Sequence, residues 1–292
     1  MFSKSDFSRR NFLAASLGLA GSARAFAEEP RVEVPPYNKL TDQQEIKLGR
    51  DAAAGIEKEK NLYFVEHSGV HGYVEDMFHK ITRTCRRPNL PYSIRIVDTK
   101  EINAFALPGG FVYLNRGLME WAHSESELAA TLSHEVGHVV GRHGANAVSR
   151  ATTLDSILTE ASNVVFGGDF AARLLEQVGG PVALLAMLKF SREQELEADL
   201  FGFYNMQRAG WNPSGMVELF RRFGEQESIL DPLFTITSDH PASSERQSQI
   251  VSEMRSYPPR AGLSSDSEAF RKAQAELKKL PPPRMKSNLS DR

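Results

Sequence analysis

Ser133-His134-Glu135-Val136-Gly137-His138-Val139-Val140-Gly141-Arg142-His143 is the stretch on which the rest of the chain is read. It contains His-Glu-x-x-His. A helix turns about 100° per residue, so His138 lies about 40° round from His134 and one turn along. Glu135 lies about 60° beyond His138, and the three side chains share a sector of about 100°. Two imidazoles so placed can hold one zinc ion, while the carboxylate reaches the water that the ion activates. This is the residue set of metal-assisted peptide hydrolysis. The plain alternative is a helix carrying two surface histidines, and the flanks argue against it. Ser124 and Glu127 form a capping-box pattern, and Leu128, Ala129, Leu132, Val136, Val139 and Val140 recur at three-to-four spacing. Titratable groups in so apolar a helix are costly unless coordinated or paired.

A carboxylate on a second helix can complete such a site, because two histidines leave a catalytic zinc one protein ligand short. Ser191-Arg192-Glu193-Gln194-Glu195-Leu196-Glu197-Ala198-Asp199 offers one. Glu195 and Asp199 are four apart and share a face. Glu195 can reach the metal, and Asp199 can accept a hydrogen bond from a liganding histidine and fix its orientation. Glu197 points about 200° away from Glu195 and is a weaker rival, Glu193 weaker still. A related class of zinc site uses a third histidine after His-x-x-Gly-x-x. Here that position is Gly144, and His143 falls one residue early, so the class is excluded and His143 is left with a structural role.

The 292 residues are 41% hydrophobic, enough to bury a sizeable core. Residues 1–27 carry Lys4, Arg9, Arg10 and Arg24 against Asp6. The chain's formal charge of −2 therefore leaves −5 for the rest, which gives no case for nucleic-acid binding. Ser8-Arg9-Arg10-Asn11-Phe12-Leu13, an apolar run to about Ala20 and Ala25-Phe26-Ala27 read as a twin-arginine signal peptide, which predicts a periplasmic protein. Cys85 is the single cysteine, so no intramolecular disulfide and no cysteine-rich zinc site are possible.

Residues 28–40 read as an extended lead-in. Thr41 and Gln44 open a helix from Asp42 to about Glu59, and a second is expected over residues 70–86. His67, His71 and His79 have no partner at ligand spacing and are read as non-ligands. Three strands follow, at residues 92–97, 103–107 and 111–114. Gly109 and Gly110 beside the third strand predict a close backbone approach. Gly109, Gly110, Phe111, Val112 and Tyr113 are therefore expected to form an edge on which an extended substrate peptide adds as a strand. Residues 151–190 are apolar, yet no run there reaches the ~18 residues of a membrane span. They are expected to pack in the core, with peripheral membrane contact as the rival.

Taken together, Asn103-Ala104-Phe105-Ala106-Leu107-Pro108-Gly109-Gly110, the His134–His143 stretch and Glu195–Asp199 followed by Gly202 resemble the zinc metallopeptidase family of HtpX, the CAAX prenyl protease and the periplasmic BepA-type proteins. Gly210-Trp211-Asn212-Pro213 and His240-Pro241 resemble the periplasmic branch. The resemblance covers roughly residues 40–255 and implies an α+β, mostly helical, zincin-like fold with a small sheet beside the motif helix. It implies one zinc ion on His134, His138 and Glu195, Glu135 as general base and Asp199 behind the ligands. By the same resemblance His240 lies near the metal, either assisting catalysis or holding the enzyme latent. The implied activity is cleavage of misfolded or misassembled envelope proteins, with outer-membrane assembly machinery among the partners. The rivals are a latent zinc-binding chaperone with little proteolysis and a zinc exopeptidase. The resemblance fades after about residue 255. There Asp266–Leu280 reads as one amphipathic helix, followed by a disordered tail, with too few residues for a repeat array.

Overall fold

The computed structural model describes residues 38–151, 170–177, 179–227, 240 and 244–284. The expected signal peptide and lead-in up to residue 37, Pro241 and the expected tail beyond Arg284 lie outside the described residues. Two helices come first: α1 (Asp42–Ile56), with the Thr41/Gln44 capping box formed as expected, and α2 (Ser68–Thr84). His67 caps α2, its Nδ1 accepting from the Val70 N–H at 3.2 Å, and His71 pairs with Glu75. Strands β1 (Ser93–Val97), β2 (Ala104–Leu107) and β3 (Phe111–Asn115) form one sheet of order β1-β3-β2. β3 runs parallel to β1 and antiparallel to β2.

After α3 (Arg116–Trp121) comes α4 (Glu125–Val140), which carries the His-Glu-x-x-His motif and is buried on every side. Ser124 caps it, accepting from the Glu127 N–H. The reciprocal half of the predicted box is replaced: the Glu127 carboxylate instead accepts from the His123 N–H and pairs with buried Arg222. α4 ends at Val140, where Arg142, with φ +57°, turns the chain into α5 (His143–Ala151). The described part of the apolar stretch forms α6 (Phe170–Gln177) and α7 (Pro181–Met187). Both pack on α1, with Leu174, Leu175, Leu184 and Leu188 in a core shared with Leu48 and Ile56. Among the described residues, no helix is long and apolar enough to cross a membrane.

α8 (Arg192–Ala209) crosses α4 closely. A Cβ on Gly137 would sit 2.4 Å from the Ala198 carbonyl oxygen, so only glycine permits this approach. The crossing brings the second motif against the first. α9 (Ser214–Glu227) covers α4 from another side, and α10 (Ser244–Ser256) packs on α8 and α9.

The last helix, α11 (Glu268–Lys279), lies beyond the span of the resemblance. Phe270, Ala273 and Leu277 bury into the main core beside Val70, Val74 and Leu118, with Leu280 partly buried against it. Buried Arg116 clasps the end of α11 through the carbonyls of Leu277 and Pro281. Burial of Phe270 alone contributes roughly 1.5–3 kcal/mol.

Candidate metal centre

Four buried side chains converge where α4 meets α8. His134, His138, Glu195 and His240 each offer a ligand atom, and these atoms lie within 4.8 Å of one another. His134 Nε2 and His138 Nε2 are 2.9 Å apart. Glu195 faces both, Oε2 at 3.3 Å from His134 Nε2 and Oε1 at 3.4 Å from His138 Nε2. His240 Nδ1 lies 2.9 Å from Glu195 Oε1 and 3.4 Å from His134 Nε2.

The tautomer of His134 follows from its other nitrogen. His134 Nδ1 is 2.7 Å from Asp199 Oδ1, and an ionised carboxylate only accepts, so Nδ1 carries a proton and, in the neutral ring, Nε2 a lone pair. That lone pair, His138 Nε2 and the Glu195 carboxylate point at one place. Electron-rich atoms at 2.9–3.4 Å repel unless a cation, a proton or a metal ion, sits among them. Ligand atoms about 2.0–2.1 Å from a tetrahedral zinc ion stand about 3.3 Å apart, so the donor set fits that ion in both chemistry and spacing.

Charges around the cluster are arranged to support this. Arg246 donates to both oxygens of Asp199, at 2.7 and 2.8 Å, and lies 2.9 Å from Glu195. Burial works against the Asp199 carboxylate, but Arg246 outweighs it and holds the pKa below the usual range. Glu195 is held well below it too: burial opposes the charge, and His240 and His138 outweigh burial. Burial likewise opposes charge on His134, yet Asp199 beside it raises the pKa to about 9. His138 lacks so close a carboxylate, and burial pushes it well below its ordinary value.

Glu135 sits beside this cluster, 1% exposed, and neither carboxylate oxygen has a hydrogen-bond partner among the described residues. Its nearest cationic neighbour is His240 Nε2, 3.6 Å from Oε1. Burial raises its pKa, tempered by His240 and His134. A buried carboxylate with free lone pairs is costly and is retained where it has a proton to move.

The sheet corrects the proposed substrate edge. Phe111, Val112 and Tyr113 belong to β3, the middle strand, paired on both sides and closed to an added strand. Tyr113 points towards α1, donating to Glu57 at 3.0 Å. Gly109 and Gly110 do mark close approaches, but to α1 and to the Tyr92 ring, with φ of +79° and +103°. Their sequence signal was real and its cause was packing. The strand at the sheet edge that lies against α4 is β2.

Three further residues join the centre. His143, left as structural by its spacing, is fully buried with Nδ1 2.8 Å from His138 Nδ1. Glu197, dismissed as a ligand, accepts from His143 Nε2 at 2.9 Å. Phe190 stacks on the His138 ring, centroids 3.9 Å apart. The sequence signal for Glu197 was its direction, which leads round the back of the ligand helix. Phe190 gave none. An apolar cavity of about 20 Å³ lies against His134 and His240, lined by Met216, Leu219 and Phe220. It has room for about one water-sized group and holds no substrate side chain as it stands.

A metal-ready cluster flanked by a buried carboxylate, without a hydrogen-bond partner among the described residues, defines a metallopeptidase-type centre. The chain belongs to peptidase family M48, which matches residues 69–254. It is similar to the beta-barrel assembly-enhancing protease of Escherichia coli (strain K12), 26% identical over 275 residues, 90% of this chain and 55% of that protein. It is 28% identical over 179 residues to the mitochondrial metalloendopeptidase OMA1 of Schizosaccharomyces pombe, covering 61% of this chain and 51% of that one. The metalloprotease LoiP of Escherichia coli is 29% identical over 169 residues, 56% of this chain and 63% of the relative. The chain spans about half the length of several of the curated relatives it matches.

Proposed function

We propose that this chain is a zinc-dependent endopeptidase acting on misfolded or misassembled envelope proteins in the periplasm, reached by the twin-arginine route. The observation that carries the reading is Glu135, buried beside His134, His138 and Glu195 with no hydrogen-bond partner among the described residues. Support for the class of client comes from relatives named as beta-barrel assembly-enhancing proteases.

His134, His138 and Glu195 would hold the zinc ion, which supplies Lewis-acid polarisation of the scissile carbonyl and activation of water. Asp199, anchored by Arg246, keeps the proton on His134 Nδ1 and so keeps Nε2 a donor to the metal. Glu135 takes the proton from the attacking water and passes it to the leaving amine. Its raised pKa brings it closer to the neutral range in which a group both accepts and returns a proton. His240, 3.6 Å from Glu135, stands where it can donate to the developing oxyanion. The outer edge of β2 is the place for an extended peptide to pair through its main chain.

A second reading rests on His240 as well. Its Nδ1 lies among the ligand atoms, so it can take the fourth position and hold the protein latent, as a zinc-binding chaperone for unfolded or outer-membrane clients. Zinc content and casein cleavage, measured together on wild type, Glu135→Gln and His240→Ala, separate the two. About one zinc per chain with cleavage abolished in Glu135→Gln supports the peptidase, and a gain in His240→Ala adds latency. Zinc without cleavage in any variant favours the chaperone, and wild type that takes up no zinc overturns both.

A further inference from the structure

The turn that ends α4 is built around one histidine. Gly141 has an ordinary φ of −73°, so its backbone does not require glycine. The requirement comes from space: a Cβ there would stand 2.4 Å from His143 Nε2. Arg142 is the one non-glycine residue with positive φ among the described residues. Its guanidinium is tied to the buried Glu45 carboxylate at 2.9 Å and to the Leu40 carbonyl at 2.7 Å. These contacts hold the left-handed turn. The turn folds the His143 ring back over the helix end, where it meets His138.

With both rings neutral, the hydrogen-bond roles along this path are fixed. Glu197 accepts, so His143 Nε2 carries the proton and His143 Nδ1 a lone pair. His138 Nδ1 must then donate, which leaves the His138 Nε2 lone pair facing Glu195 and His134. The face of the same ring is covered by Phe190. His134 is oriented directly by a carboxylate, whereas His138 is oriented through a second imidazole.

We infer that His143 and Glu197 are positioning residues which, through the Gly141–Arg142 turn, set the tautomer and orientation of His138 and so the geometry and affinity of the metal site. This rests on the reading that His138 holds a metal.

Cobalt(II) is the probe, because its visible bands report ligand geometry without turnover. Metal-free full chain is titrated with Co(II), alone and against a chelator, for wild type, Glu197→Ala, Glu197→Gln and His143→Phe. The Glu197 side chain is 36% exposed, so its truncation leaves no buried cavity and the fold survives. Glu197→Ala is expected to weaken Co(II) binding roughly ten- to hundredfold and to shift the bands. Glu197→Gln, whose amide oxygen still accepts from His143, stays near wild type, and His143→Phe behaves like Glu197→Ala or worse. Wild type that binds Co(II) alongside Glu197→Ala of equal affinity and unchanged spectrum overturns this inference alone. Wild type that binds no Co(II) overturns the metal-site reading and this inference with it.

Discussion

His134 Nδ1 and Asp199 Oδ1 lie 2.7 Å apart across the α4–α8 crossing, both side chains buried. Neither residue is next to the other in sequence, and their contact decides how the centre exchanges protons for metal. With Asp199 beside it, metal-free His134 titrates at about 9 instead of its ordinary 6.5.

Metal uptake at pH 7 must therefore displace a proton from His134. Apparent Zn(II) affinity is expected to rise about tenfold per pH unit up to about pH 9 and then level off. The same shift acts on the metal-free fold. A pKa raised on folding stabilises below the unfolded value, so this contribution is intact below about pH 6.5 and lost as the pH climbs through about 9. Melting of metal-free protein from pH 6 to 10 checks this. A midpoint that does not fall between pH 6.5 and 9 contradicts the raised pKa.

Asp199→Ala removes the partner of both His134 and Arg246. Arg246 then stays buried with much of its pairing lost, a change of roughly 3–5 kcal/mol in stability. Urea unfolding of metal-free protein reads this without reference to activity. A loss below 1 kcal/mol would mean that Arg246 is satisfied elsewhere.

Glu135→Gln should separate chemistry from structure. Cleavage falls by about 10²–10⁴-fold, as expected for removal of a general base, while zinc content is unchanged. Because the native carboxylate is buried with both oxygens unpaired among the described residues, the neutral variant should melt no lower than wild type. A lower melting temperature would show that the ionised carboxylate is a structural partner.

Phe270→Ala tests whether α11 belongs to the domain. Phe270 is fully buried, so its truncation is expected to cost about 3–5 kcal/mol. A chain stopped at residue 255 should lose cooperative unfolding altogether. A sharp transition in the truncated chain would show that the preceding residues fold without α11.

Much of the centre was legible from spacing alone. His134, Glu135 and His138 share a face because helical geometry is local, and Glu195 and Asp199 share another for the same reason. Apolar periodicity likewise marked α4, α2 and the buried face of α11, since each depends only on residues within one element. What the sequence could not order was the sheet. Three strands in succession read as if the last lay at an edge, but β3 returns between β1 and β2, and pairing partners are a property of topology. It also could not bring Glu197 to His143, because that meeting depends on Gly137 letting two helices close to contact and on Arg142 turning the chain left-handed. Local geometry thus determined which side chains share a face. Only the packing of one helix on another decided which faces meet, because that is set by steric contacts between residues far apart in the chain.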